Sequence, residues 1–102
     1  MYRASDRIAE GEAIARLTNV ATTLELDYET ISVAIELYLS SVPVEERSRD
    51  AVLAASCYTA CLLCDDERSQ TVVAEAFGVT RHVILRRWKN MVADLGLEPP
   101  RW

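Results

Sequence analysis

Lysine and histidine each occur once in this chain, glycine and proline three times each, and aromatic residues make up only 7% of it. Each shortage excludes something. Few glycines and prolines leave few tight turns, which argues against an all-β fold. A lone histidine, no glycine-rich phosphate loop and no Ser or Cys beside a base leave enzymatic chemistry nothing to rest on. The expectation is a non-enzyme without cofactor or small-molecule substrate. No apolar run approaches the roughly 20 residues of a membrane span. The N-terminus, MYRASDRIAE, lacks the apolar core of a secretory signal. The expected localisation is cytoplasmic, with no membrane partner. Ten arginines against one lysine, beside an acidic excess, is also a composition of high-salt cytoplasms.

What is present is aliphatic. Half of the residues are hydrophobic, carried by Ala, Leu, Val and Ile, which favours helices packed on helices. A length of 102 residues fits one domain around one core.

Charge is unevenly spread. The net charge is −5, which argues against non-specific nucleic-acid binding by the whole chain. From Arg68 to Ala93, however, five basic residues face one acid, Glu75. That stretch is +4 and the remainder −9. A basic face on an acidic body suits DNA; a cluster this small is equally a solvated helix face.

Periodicity predicts five helices. Ile14, Leu17, Ala21 and Leu24 form one face of a first helix, which Ser5 or Asp6 can cap. Gly11 weakens the pattern before it, so the firm helix is expected from about Glu12. Asp27 is an N-cap for a second helix with Ile31, Ala34, Ile35, Tyr38 and Val42 inward, ended by Pro43. After a polar connection, Ser48 or Asp50 opens a third, AVLAASCYTACLLC. It is apolar nearly all round and belongs at the centre. Ser69 caps a fourth helix running to Phe77. Gly78 turns the chain, and Thr80 caps a fifth helix that reaches about Leu95 before Gly96 and Pro99–Pro100. Its buried stripe is Ile84, Trp88, Met91 and Leu95.

The last two helices meet the demands of a DNA-reading helix-turn-helix. Such a pair crosses closely and needs a small residue mid-way along its first helix, here Ala74. Its turn needs a left-handed residue, here Gly78. Val73, Phe77, Val79 and Ile84 can lock the second helix onto the first. The second helix would lie in the major groove with its N-terminal residues toward base edges. Arg81, His82, Leu85, Arg86 and Lys89 fall opposite the buried stripe. Arg87 lies at its boundary, within reach of backbone phosphate.

Cys57, Cys61 and Cys64 share one face of the third helix, with C-x-x-C spacing between the last two. A structural zinc needs about four ligands, and the single histidine lies elsewhere. The thiols read as small buried hydrophobes, not as a metal site or a disulfide. Tyr38, Tyr58 and Trp88 sit at helical core positions.

The runs SRDAVLAASCYTACLL and RSQTVVAEAFGVTRHVILRRWKNMVADLGL resemble the second cyclin-type repeat of the transcription initiation factor B family, archaeal factor B and eukaryotic factor IIB. The similarity covers Ala13 to Leu97 and is most specific from Arg68 to Thr80. It implies an all-α, five-helix cyclin-like bundle with a C-terminal helix-turn-helix. Residues 1–12 would be an N-terminal extension, 13–97 the repeat with the helix-turn-helix at 69–95, and 98–102 a tail. It also implies binding to double-stranded promoter DNA, with the TATA-binding protein as a partner. The chain departs from the family in having one repeat and no zinc ribbon. His82 and Leu85 also stand where the family usually places a valine and a base-reading arginine. A regulator of complete factors, or a competitor with them, fits these departures. The alternative is a cyclin-fold protein-interaction module, or a homodimer imitating the two-repeat clamp, without sequence-specific DNA binding.

Overall fold

A computed structural model of the chain describes residues 4–40 and 49–94, with side chains for 11–40 and 49–93. Five α-helices follow in order: α1 Ala4–Thr23, α2 Tyr28–Ser40, α3 Arg49–Leu63, α4 Gln70–Phe77 and α5 Arg81–Asp94. The described residues contain no strand, as the all-α reading expects. The features expected at Val42, Pro43, Ser48, Leu95, Gly96, Pro99 and Pro100 lie outside the described residues, as does the 98–102 tail.

α3 is the axis of the bundle. Val52 through Cys61 are ten consecutive buried residues, and all four other helices pack against this one. Small side chains make that possible, because Ala54, Ala55 and Ala60 are fully covered by their neighbours. The buried hydroxyls of α3 find partners on it and on α5. Thr59 Oγ1 donates to the Ala55 carbonyl at 2.7 Å, and Ser56 Oγ faces the Met91 sulfur at 4.0 Å.

The inward faces differ in detail from simple periodicity. α1 buries Ala13, Leu17 and Ala21, with Ile14 half-buried. α2 buries Thr30, Ala34, Leu37 and Tyr38, while Ile31 and Ile35 pack at the rim. α1 also begins eight positions before Glu12. Gly11 lies inside it, exposed, where an added Cβ would meet nothing within 4 Å. Glycine in a helix interior costs about 1 kcal/mol, too little to end a helix held by packing further along.

Three of the helices end in the same left-handed turn. Gly78 has φ +71°, and Glu25 and Asp65 have φ +59° and +54°. After α1, Leu26 N–H bonds the Ala21 carbonyl and Glu25 N–H the Thr22 carbonyl; after α3, Asp66 and Asp65 bond Cys61 and Leu62 in the same pattern. These are paired Schellman bonds, which satisfy carbonyls that a helix end would otherwise leave open. Only the turn at Gly78 carries the glycine that announces it.

Asp66 and Arg68 join the two halves of the bundle. Asp66 Oδ2 accepts from the Asp27 backbone N–H at 2.9 Å and the Thr30 hydroxyl at 3.2 Å, which tethers the start of α2. Arg68 donates to the Leu24 carbonyl through Nε at 3.1 Å and through Nη2 at 3.0 Å, which closes the end of α1. Its Nη1 reaches Asp66 Oδ1 at 3.0 Å. The Asp27 N–H above all, then Thr30 and Arg68, hold the Asp66 carboxyl below its ordinary pKa.

A carboxyl depressed in the folded state contributes stability that is complete above the unfolded value, about 3.9. That contribution is lost as pH falls through the lower folded value. Asp66→Ala is therefore expected to lower stability at pH 7, with a deficit relative to wild type that shrinks below about pH 4. Arg68→Ala should cost about 2 kcal/mol through its lost charged hydrogen bonds. Urea unfolding at pH 7 and pH 3.5 checks both.

Candidate nucleic-acid interface

The interface is built from α4, the turn at Gly78 and α5. Ser69 sits in extended geometry before α4, and its side chain accepts the Val72 N–H at 3.1 Å. This is N-capping of an otherwise open donor. At the other end Val79 N–H bonds the Ala74 carbonyl at 2.9 Å and Gly78 N–H the Glu75 carbonyl at 3.1 Å. Arg16 of α1 reaches across to this corner. It donates to the Phe77 carbonyl at 2.8 Å and pairs with Asp50 in the first turn of α3. The direction in which α5 leaves the turn is thus set by a cap, a left-handed residue and a cross-bundle arginine.

The rotation of α5 about its own axis is set by packing. Ile84, Trp88, Met91 and Val92 are at most 6% exposed. The Trp88 ring meets Tyr58 of α3 edge-on, with centroids 5.8 Å apart and planes at 76°. Edge-to-face contact is a favoured aromatic geometry. Gln70 Nε2 of α4 in turn donates to the Tyr58 hydroxyl at 3.3 Å, so one aromatic pair ties three helices. Ala74, Val73 and Phe77 are buried where α4 crosses α5, and Val79 packs at the edge of the core.

The opposite side of α5 faces solvent. Arg81, His82, Arg86 and Lys89 are exposed, Arg87 is half-buried, and Leu85 is 39% exposed. These are the six residues that helical spacing assigns to the outer face and its boundary. Among the described residues no salt bridge involves the five basic ones. Lys89 Nζ lies 5.7 Å from the centroid of the Trp88 ring, within the range of a cation–π contact. Arg86, Arg87 and Asn90 line a cleft of about 320 Å³ with Val83 and with Ala51 from the first turn of α3. Guanidinium and carboxamide donors gathered this way suit phosphate oxygens.

Arg68 does not belong to this face. Charge counting places it in the basic stretch, but its guanidinium is spent on the Leu24 carbonyl and Asp66. Ser69 and Gln70 likewise serve the fold. The cysteines stay in the interior: Cys57 and Cys61 are buried and Cys64 half-buried. The Cys61 hydrogen bond and then burial push the Cys57 thiol far up, and burial raises Cys64. Among the described residues no three of His, Cys, Asp and Glu gather as metal ligands would. No helix there is long and apolar enough to cross a membrane.

Residues 9–94 match the family model described as "Transcription factor TFIIB repeat". The chain belongs to this family. A 52-residue stretch of the chain is 40% identical to a transcription initiation factor IIB of Methanothrix thermoacetophila. It is 38% identical to one of Methanosarcina mazei. Each alignment covers 51% of this chain and 15% of the relative, so the aligned stretch is a small part of those factors. The family is one of transcription initiation factors and not of enzymes.

The turn that aims α5 is open to a direct test. An alanine at Gly78 meets no neighbour, so Gly78→Ala isolates the cost of a left-handed backbone, about 1 kcal/mol. Glu25→Gly, at φ +59°, should act in the opposite sense and stabilise by a similar amount. Urea midpoints of the two variants, with unchanged m-values, check both.

Proposed function

We propose that this TFIIB-type repeat binds double-stranded promoter DNA by laying α5 in the major groove, and that it acts in transcription initiation or its regulation. The observation that carries this reading is the outward face of α5. Arg81, His82, Arg86 and Lys89 project from it, and no carboxylate occurs between Ala76 and Ala93. Arg81 and His82 lie in the first turn, the part of such a helix that meets base edges. Lys89, Arg86 and half-buried Arg87 lie further along and reach phosphate. The acidic remainder of the chain opposes indiscriminate attachment, so contact is confined to this face.

Kinship with transcription initiation factors supports the same partner, and it brings the TATA-binding protein in as a second one. A protein-binding or dimerising role has a different observation behind it: Tyr28, Leu63 and Val72 are exposed apolar side chains outside α5. Light scattering that returns a monomer, beside clear duplex binding, counts against that role.

Gel shift on promoter duplexes, with and without TATA-binding protein, tests the proposal. With about three phosphate contacts, log K against log [salt] should fall with a slope of about −3. Arg86→Glu/Lys89→Glu should weaken binding by more than about tenfold at low salt and flatten that slope by about 2. Both positions are exposed, so the helices should persist by circular dichroism. Unchanged affinity in the double variant would sink the reading.

A further inference from the structure

The bases that α5 selects follow from one residue that the charge argument leaves aside. We propose that Leu85 reads the 5-methyl group of a thymine, so that the repeat selects a T·A pair at the step beneath it. This rests on the DNA-binding reading above.

α5 keeps its other large apolar side chains covered: Ile84, Trp88, Met91 and Val92 are all at most 6% exposed. Leu85 is 39% exposed. The other exposed large hydrophobics among the described residues, Tyr28, Leu39, Leu63 and Val72, lie on α2, α3 and α4. Leu85 is thus the apolar exception on a cationic face.

Its neighbours define what it can meet. Arg81 and Lys89 stand four residues before and after it, on one ridge of the helix. His82 lies three residues before it, beside the same ridge. A helix in the major groove has phosphates on both walls and base edges on the floor. Arg81, at the N-terminal end of the ridge, meets base edges and Lys89, at its other end, reaches phosphate, which leaves Leu85 between them over the floor. A leucine can neither donate nor accept a hydrogen bond. Of the groups by which the bases differ on that floor, each is a donor or an acceptor except the thymine 5-methyl. Over guanine, adenine or cytosine the leucine would cover a polar edge and leave it unpaired, which costs affinity. Over thymine it buries a methyl group against its own.

The test begins with sequences selected from random duplexes by the wild-type chain, in which each thymine is then replaced singly by deoxyuridine. That change removes the methyl and keeps the base pair. One position is expected to lose about three- to tenfold in affinity, the worth of one buried methyl. Leu85→Ala should bind the parent site more weakly and show no further loss on the same replacement. Leu85→Arg should shift the selected base at that position toward guanine. If deoxyuridine is tolerated at every position, or if Leu85→Ala keeps the wild-type sensitivity, Leu85 is not the reader and the inference is overturned. A chain that binds no duplex in the selection overturns the DNA-binding function itself, and the inference with it.

Discussion

A helix without a polar face must be surrounded, and the rest of this fold depends on that constraint. α3 buries ten residues in succession, which no two-layer packing accommodates. Its alanines, serine and cysteines are short enough for four helices to close around it. Wherever a longer side chain does stand on α3, it sets an orientation. Tyr58 is the chief case: its ring fixes Trp88 of α5 and its hydroxyl accepts from Gln70 of α4. The rotation of α5, and with it the choice of which residues face solvent, follows from that contact together with the burial of Ile84, Met91 and Val92.

Polar groups perform a different task. They close the corners between helices. Arg16 ties the end of α4 to the start of α3. Asp66 and Arg68 tie the α1–α2 turn to the α3–α4 loop. In each case a charged side chain satisfies backbone groups that helix ends leave open. This division explains how a chain with net charge −5 presents a basic face. Outside α5, Arg16 and Arg68 are engaged by the fold. On α5 the arginines and the lysine have no described acidic partner, and they remain available as surface charge.

The outer face is therefore a product of the inner one. The buried stripe and its aromatic pair decide the rotation of α5, and the turn at Gly78 with Arg16 and the α4 cap decides its direction. Chemistry at the surface then depends on what lies opposite Ile84, Trp88 and Met91. Basic side chains there suit phosphate and base edges. Leu85 is the apolar exception on that face.

The amino-acid sequence by itself determined the helix count, the central place of α3, the cap at Ser69, the turn at Gly78 and the six residues on and beside the outer face of α5. Each follows from local rules of periodicity, capping or glycine geometry, which act within a few residues of the chain. Tertiary structure alone decided the rest. Charge counting includes Arg68 in the basic stretch because it cannot see a carbonyl 44 residues away. Glu25 and Asp65 adopt left-handed turns without glycine, because packing on both sides fixes the chain direction and the strain is carried by the fold. α1 continues through Gly11 for the same reason. Local propensity is worth about 1 kcal/mol per residue, and contacts between distant segments outweigh it wherever the core closes.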